Sequence, residues 1–341
     1  MEIEEMEPGL APPTSPKRRP HPLEVPDLDL CGTFYPLGFP AEVRTNSSEI
    51  LAQADELWGR FEPRFETEPI KVDVHIIGDA SESIECPPAT ECQIMLPLLI
   101  SVADGRHYSL ANLAEGRTQL VLSKASEKHK NYLAYFFLGA AALGQIASRF
   151  ALPVHAACVE WNGRGVLLCG ESGAGKSTLS YACARAGWKY ITDDATYLLH
   201  DPAVFGSKRI VTGNYNQVRF RPSAARLFPE IEGLPITPRA VGKPSIELPT
   251  FPNLGIECVQ ATAVDYLVFL NREYPSQRSL RTYSREKARQ FLRQVLFGTP
   301  EAFDTQYWSI ERSLAAEIFE LRYSDLDWAV ERLSRLVEEG R

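Results

Sequence analysis

Cysteines are few and irregularly spaced in this 341-residue chain. The chain holds seven cysteines, and they form neither a CxxC pair nor a repeated spacing. This pattern argues against a zinc site and against a disulfide framework. We therefore expect reduced thiols and a cytoplasmic protein.

The sequence also lacks the long apolar segments that target proteins to membranes. Its first twenty residues, MEIEEMEPGLAPPTSPKRRP, contain no apolar core of a secretion signal. The longest apolar stretch, YLAYFFLGAAALGQIASRFALPV, includes Gln145, Ser148 and Arg149. A buried helix explains it better than a membrane span, and we expect no membrane partner.

An excess of positive charge is likewise missing. Lys and Arg together number 36 against 44 Asp and Glu, which gives a formal net charge of -8 and a pI near 5.4. Such a chain lacks the broad basic surface that nucleic-acid binding requires, so we expect no nucleic-acid partner. With 44% hydrophobic and 23% charged residues, the composition is that of a globular protein.

The chain divides into three parts by composition and pattern. Residues 1–28 are rich in proline and charge and predict a disordered tail. Residues 29–127 predict an N-terminal α+β domain of unknown role, and residues 128–341 a catalytic domain.

The predicted N-terminal domain combines a helix with several strands. NSSEILAQADELWGRF has helical spacing, with Asn46 or Ser47 as its N-cap, and IKVDVHII alternates like a half-buried strand. ECQIMLPLLISV and RTQLVLSKA predict further strands, with a turn at Asp104. His75 and His107 have no partners at metal-ligand spacing, so we interpret both as structural.

A predicted β-hairpin leads into the most informative segment. Residues 128–151 form a long apolar helix that ends before Pro153, and VHAACVEW then reads as one strand. Asn162-Gly163 is typical of a type I′ turn, so GVLLCG should return antiparallel to VHAACVEW. Most phosphate-binding loops follow strands of parallel sheets, and this arrangement differs from them.

The loop after the hairpin fits the Walker A pattern GxxxxGK[ST]. Glycines allow backbone N–H groups to surround phosphate oxygens, the lysine reaches the β- and γ-phosphates, and the hydroxyl of Ser177 can ligate Mg²⁺. A helix from Lys176 to Arg185 directs its positive N-terminus at the anion. The predicted nucleotide-binding residues are Gly170, Glu171, Ser172, Gly173, Ala174, Gly175, Lys176, Ser177 and Thr178.

Two aspartates end the next predicted strand, in WKYITDD. Asp193 beside such a loop can hold Mg²⁺, and Asp194 can accept a proton from an attacking hydroxyl. The alternative is an aspartate-rich turn without chemistry.

In VHAACVEWNGRGVLL, GESGAGKS and ITDD, the sequence resembles the HPr kinase/phosphorylase family. The spacings from His155 to Gly170 and from Gly170 to the aspartate pair match that family. The resemblance implies an α/β fold with a mixed sheet and the P-loop kinase core that this family shares with phosphoenolpyruvate carboxykinases. It also implies that Lys176 binds and polarises the phosphates, that Ser177 ligates Mg²⁺ and that Asp194 is the catalytic base. His155 would lie near the transferring phosphate as an auxiliary group. Related kinases are commonly hexameric, so we expect a homo-oligomer.

The chain departs from that family in three places. ELPTFPNLGIECV lacks the family's Arg-Gly, which leaves Glu247 as the candidate second metal ligand, and the late Pro-Gly-Arg-Asn motif is absent. The N-terminal region also differs from the usual regulatory domain. We therefore expect neither phosphorylase activity nor HPr as acceptor. The chain is more similar to divergent relatives encoded beside peptide-modification systems.

Four basic residues are candidates to contact phosphate or substrate, because phosphoryl transfer needs cations around the γ-phosphate. They are Arg219, Arg221, Lys243 and Arg272, of which we expect one or two to line the phosphate site. Surface ion pairing explains each single residue equally well or better. The C-terminal segment reads helix, strand, helix, with Ser324 or Asp325 capping the last helix.

Three functions follow from these patterns. The first is a kinase that uses ATP and Mg²⁺ to phosphorylate a Ser or Thr hydroxyl of a small protein or peptide. The second is a kinase whose acceptor is a small hydroxyl metabolite. The third is a nucleotide sensor that transfers nothing.

Overall fold

The computed structural model describes residues 26–79, 85–200, 208–237, 244–252, 254–272, 278–294 and 296–340. Most of the predicted tail and Lys243 lie outside these ranges. The α-helices are α1 (Ser48–Trp58), α2 (Lys130–Leu133), α3 (Gly139–Arg149), α4 (Lys176–Arg185), α5 (Arg285–Arg293), α6 (Pro300–Ser313) and α7 (Leu326–Glu339). The π-helical segment Ala134–Leu138 joins α2 to α3. Short 3₁₀ turns cover Pro36–Gly38, Lys124–Lys128, Pro222–Arg226 and Pro229–Ile231.

Strands make up most of the remaining regular structure. Those in the first third are β1 (Leu30–Phe34), β2 (Ala41–Thr45), β3 (Ile70–Ile77), β4 (Glu91–Met95), β5 (Leu98–Asp104), β6 (His107–Asn112) and β7 (Arg117–Ser123). The next are β8 (Ala151–Val154), β9 (Ala157–Trp161), β10 (Arg164–Cys169), β11 (Lys189–Thr192), β12 (Thr196–Leu199) and β13 (Ile210–Gly213). The last are β14 (Gln217–Phe220), β15 (Ile236–Thr237), β16 (Ser245–Pro249), β17 (Ala261–Asn271), β18 (Ser279–Thr282) and β19 (Glu317–Arg322).

The first sheet has the order β1-β2-β3-β7-β6-β5-β4. Strands β2, β3 and β7 run parallel, and the other pairs are antiparallel. The strand β3 lies inside the sheet between β2 and β7 and has buried side chains on both faces, so the half-buried prediction for IKVDVHII is wrong. Helices cover one face of the sheet, and on the other face Nδ1 of His75 lies 3.3 Å from the carbonyl oxygen of Pro26.

The helical prediction for residues 128–151 is confirmed, except that one turn of the helix is π-helical and therefore wider than an α-helical turn. α2, the π segment and α3 run continuously, and Phe137, Leu138 and Ile146 are fully buried. These side chains join one core with strands of the first sheet and with Tyr197 and Leu199 of β12. The helix therefore contacts both predicted domains, and the boundary at residue 128 stays a prediction.

The second sheet is organised around the long strand β17. The early residues of β17 pair antiparallel with β13, whereas its later residues pair parallel with β10 on one side and β19 on the other. Strands β9 and β11 extend the sheet beyond β10. The carboxyl ends of β10, β17 and β19 consequently meet at one edge, where ligands bind in α/β sheets.

Helices sandwich this part of the second sheet. Alternate residues of the strands pack against α4 and α7 on one face and against α5 and α6 on the other. The fold-class prediction is confirmed at the level of a mixed α/β chain. A small sheet of order β14-β16-β15 packs beside α4 through Tyr181, Phe220 and Phe228.

The predicted hairpin forms as expected from its turn residues. Asn162 and Gly163 have φ values of 51° and 75°, which a type I′ turn requires, and β9 pairs antiparallel with β10. The prediction that VHAACVEW is a single strand is wrong. The chain bends at His155, so that β8 pairs with β12 while β9 pairs with β10.

The C-terminal prediction of helix, strand, helix is confirmed but omits α6. Pro300 occupies its first turn, and the Thr299 hydroxyl accepts a hydrogen bond from the N–H of Ala302. Polar residues such as Gln306 are buried in α6, so its apolar periodicity is weak. Asp325 is the N-cap of α7 and accepts from the N–H of Trp328.

No helix in the described ranges is both long and apolar enough to cross a membrane.

Candidate phosphate-binding site

The glycine-rich loop joins the end of β10 to the start of α4. Gly170, Gly173 and Gly175 have φ values of 148°, 95° and 99°, a region that disfavours residues with a Cβ atom. A Cβ atom on Gly175 would also lie 2.7 Å from the hydroxyl oxygen of Tyr323. Both the backbone angles and the packing therefore demand glycine at this position.

Lys176 lies folded into this loop. Its Nζ donates to the carbonyl oxygens of Gly170, at 2.6 Å, and Glu171, at 3.2 Å. Burial lowers the pKa of the ammonium, and the carboxylate of Asp194 is the strongest of the acidic neighbours that oppose this shift. The loop thus holds a partly desolvated cation close to Asp194.

Asp193 is buried at the end of β11 among hydrogen-bond donors. Its Oδ2 accepts from the N–H of Arg219 at 3.0 Å, the Tyr190 hydroxyl lies 3.1 Å from Oδ1, and the Ser177 hydroxyl also donates to it. Burial raises the pKa of Asp193 to about 6. The carboxylate and the hydroxyl that sequence reasoning assigned to Mg²⁺ therefore lie in contact with each other.

Asp194 and His155 form a second pair beside the first. Nδ1 of His155 lies 3.1 Å from Oδ1 of Asp194, and the two side chains are 48% and 45% exposed. His155 occupies the bend between β8 and β9, which lies at the same sheet edge as the end of β11. The pair can exchange a proton with a group that approaches from solvent.

The candidate basic residues take different positions. Arg221 follows β14, and its Nη2 donates to the Ser172 hydroxyl of the loop at 3.0 Å. Arg272 follows β17, and its guanidinium lies over the ring of Tyr323 and close to Gly175. These two cations flank the loop, whereas Arg219 directs its side chain elsewhere.

Glu247 lies on β16 and pairs with Arg219. The Nε of Arg219 is 3.4 Å from Oε1 of Glu247, across a β14–β16 register pair. Among the residues that the structure describes, no three His, Cys, Asp or Glu side chains come close enough to form a metal cluster. A metal ion here would depend on Ser177, Asp193 and oxygen atoms of a substrate.

Two tyrosines of the site were missed by sequence reasoning. Tyr190 is fully buried, and Tyr323 supports the loop through its hydroxyl, 3.5 Å from the carbonyl oxygen of Ala174. Tyr190 lies only three residues before Asp193, so its closeness in sequence could have indicated that it belongs to the site. Tyr323 is distant in sequence, and only the pairing of β19 with β17 brings it to the loop.

Comparisons with known proteins give limited matches. A sequence model of the family described as SynChlorMet cassette protein ScmC matches residues 123–207, which includes the loop and both aspartates but is well under half of the chain. No curated protein matches the sequence. Among solved structures, the HPr(Ser) kinase/phosphatase from Coxiella burnetii is similar at 16% identity, with a TM-score of 0.29. That alignment covers 55% of this chain and 98% of the other.

Proposed function

We propose that this protein is an ATP- and Mg²⁺-dependent kinase that transfers a γ-phosphate to a Ser- or Thr-type hydroxyl of a small protein or peptide. The contact between His155 and Asp194 beside the loop cation Lys176 is the observation that carries this proposal. A binding loop alone needs no such pair, whereas transfer to a hydroxyl needs a proton acceptor.

The loop has the features that hold a triphosphate. Its positive-φ glycines leave room for anion oxygens, α4 begins at Lys176 with its N–H groups toward the loop, and the lysine ammonium lies inside. Ser177 and Asp193 would hold Mg²⁺, which when bound offsets phosphate charge. Arg221 and Arg272 add cations on either side of the loop.

The transfer step follows from the position of Asp194. The acceptor hydroxyl gives its proton to a carboxylate oxygen of Asp194 while its oxygen forms a bond to the γ-phosphorus. The bond from this phosphorus to the β–γ bridging oxygen breaks, and the electron pair leaves with ADP. The ammonium of Lys176 stabilises the negative charge on the transferring phosphoryl group.

His155 orients the base and need not touch the phosphate. With Nδ1 protonated, the imidazole donates to Oδ1 of Asp194 and fixes the orientation of the carboxylate. A His155→Gln variant keeps one amide donor, so it should retain more activity than His155→Ala.

The exposure of the pair supports a macromolecular acceptor. Both side chains are close to half exposed, so a seryl hydroxyl on a loop or peptide can reach Asp194 without opening a closed pocket. Acceptors that are small metabolites are usually enclosed.

Transfer of labelled γ-phosphate to a host lysate tests this function. After the reaction, the lysate is separated above and below a small-molecule cutoff, with Asp194→Asn as the control enzyme. We expect label in the large fraction, stable to conditions that hydrolyse phosphohistidine. Label in the small fraction alone would support a metabolite kinase. Nucleotide binding with neither transfer nor hydrolysis would support a sensor.

A further inference from the structure

A cleft of about 450 Å³ opens next to the loop, on the side away from Asp194. It lies beyond the carboxyl ends of β17 and β19, whereas Asp194 follows β11 on the other side of β10. The lining residues used below are Thr178, Leu227, Arg272, Arg278, Ser324 and Asp327. The proposed transfer centre and this cleft therefore flank the loop on opposite sides.

The first turn of α4 connects the loop to the cleft. Lys176 and Ser177 face Asp194 and Asp193, and Thr178, one residue further along the helix, lines the cleft. A triphosphate with its γ-phosphate near Asp194 would therefore extend its other end past Thr178. Whatever is attached to the α-phosphate would enter the cleft.

Arg272 stands at this junction. Its Cδ and Nη1 lie 3.5 Å from the position that a Cβ atom on Gly175 would take, and its guanidinium is 5.7 Å from the centre of the Tyr323 ring. The stacking fixes the cation next to the loop. An α-phosphate leaving the loop would meet it there.

The interior of the cleft combines apolar and polar surface. Leu227 is 49% exposed and offers an apolar wall. Asp325 is occupied, because its Oδ1 accepts from the Trp328 N–H and its Oδ2 pairs with Arg278 at 3.1 Å. Asp327 and Ser324 are exposed on the same rim. A carboxylate in such a position suits the hydroxyl groups of a ribose.

We propose that this cleft binds the nucleoside of the phosphate donor, with Arg272 at the α-phosphate and Asp327 at the ribose. The donor is then a nucleoside triphosphate, and pyrophosphate is a poor substitute. This inference rests on the proposed function, because it takes the phosphates to lie in the loop.

A second cavity provides a control within the same protein. It holds about 630 Å³ and borders the loop through Gly170, Glu171 and Gly173, but it lies on the opposite face of the sheet, beside Tyr283 and Lys287. Arg272 lines this cavity as well as the cleft, but Thr178 lines the cleft alone. A nucleoside in this cavity would have to extend from the loop past Glu171 and Gly173, and not past Thr178.

Calorimetric binding of ATP and of inorganic tripolyphosphate to the full chain, both with Mg²⁺, tests the assignment. The wild type should bind ATP about tenfold or more tightly than tripolyphosphate. Asp327→Ala should weaken ATP binding about tenfold and leave tripolyphosphate binding unchanged, since a hydrogen bond to a charged group is lost. Asp327→Asn keeps the shape of the side chain and is the second variant, used if Asp327→Ala disturbs the first turn of α7. Lys287→Ala in the second cavity and Glu339→Ala at the exposed far end of α7 should bind both ligands like the wild type.

Three outcomes would overturn the inference. These are equal wild-type affinities for ATP and tripolyphosphate, an unchanged ATP affinity in Asp327→Ala, or a loss of ATP binding in Lys287→Ala instead. Failure of the proposed function is different, because then neither ligand would bind or bound ATP would never be transferred.

Discussion

His155, in the bend between β8 and β9, and Asp194, in the turn after β11, meet at 3.1 Å beside the glycine-rich loop. His155 reaches this place because the chain bends between β8 and β9, and Asp194 does so because β11 pairs with β9. The contact pairs a carboxylate with an imidazole close to the loop lysine.

Replacement of Asp194 by Asn should abolish transfer and preserve nucleotide binding. The amide keeps the shape but cannot accept the hydroxyl proton, so we expect turnover to fall about a hundredfold or more. Turnover is measured by labelled-phosphate transfer and ATP affinity by calorimetry. Asp304→Asn, on the exposed surface of α6, is the matched control and should leave both unchanged. Full transfer by Asp194→Asn would remove this residue from the mechanism.

Lys176→Met should lose nucleotide binding without losing the fold. The ammonium is buried and its pKa is lowered by burial, so its removal relieves a desolvation cost. The carbonyl oxygens of Gly170 and Glu171 can take water in its place. We expect ATP affinity to fall about tenfold or more, with a melting temperature equal to or above that of the wild type. A large drop in melting temperature would mean that the lysine serves the structure.

The sequence was sufficient for the parts of the site that depend on local chemistry. The hairpin turn at Asn162-Gly163, the glycine positions of the loop and the start of α4 follow from backbone preferences of single residues. These preferences act within a few positions, so a single sequence reveals them.

Residues placed by tertiary pairing were harder to predict. Arg219 and Arg221 are both candidates from the sequence, but β14 ends at Phe220 between them. The Arg219 side chain pairs with Glu247, whereas that of Arg221 reaches Ser172. Tyr323 reaches the loop only through the pairing of β19 with β17. The double burial of β3 likewise depends on its parallel neighbours.

Arg221→Ala should lower turnover at least about tenfold if its guanidinium spreads charge over the transferring group. In the structure it donates to Ser172 at 3.0 Å, and so it is already positioned over the loop. Arg226→Ala is the matched control, because Arg226 is an exposed arginine in the adjacent 3₁₀ turn. Unchanged steady-state kinetics in Arg221→Ala would dismiss the residue as a surface contact.

Gly175→Ala should destabilise the protein more than Gly173→Ala, although both glycines have φ values near 100°. An alanine at either position adds backbone strain of about 1–2 kcal/mol. At Gly173 no atom lies within 4 Å of the new Cβ, whereas at Gly175 the Tyr323 hydroxyl lies 2.7 Å from it. The difference between the two variants in the free energy of unfolding, measured in denaturant, should therefore report the steric clash with Tyr323 apart from the backbone strain.

The same comparison identifies the colliding atom. Removal of the hydroxyl in Gly175→Ala/Tyr323→Phe should recover part of the stability lost in Gly175→Ala, while Tyr323→Phe combined with Gly173→Ala should recover none. Equal losses for the two single alanine variants would show that Tyr323 moves aside without cost. In that case the hydroxyl does not hold the loop, and the glycine at position 175 is required by its backbone angles alone.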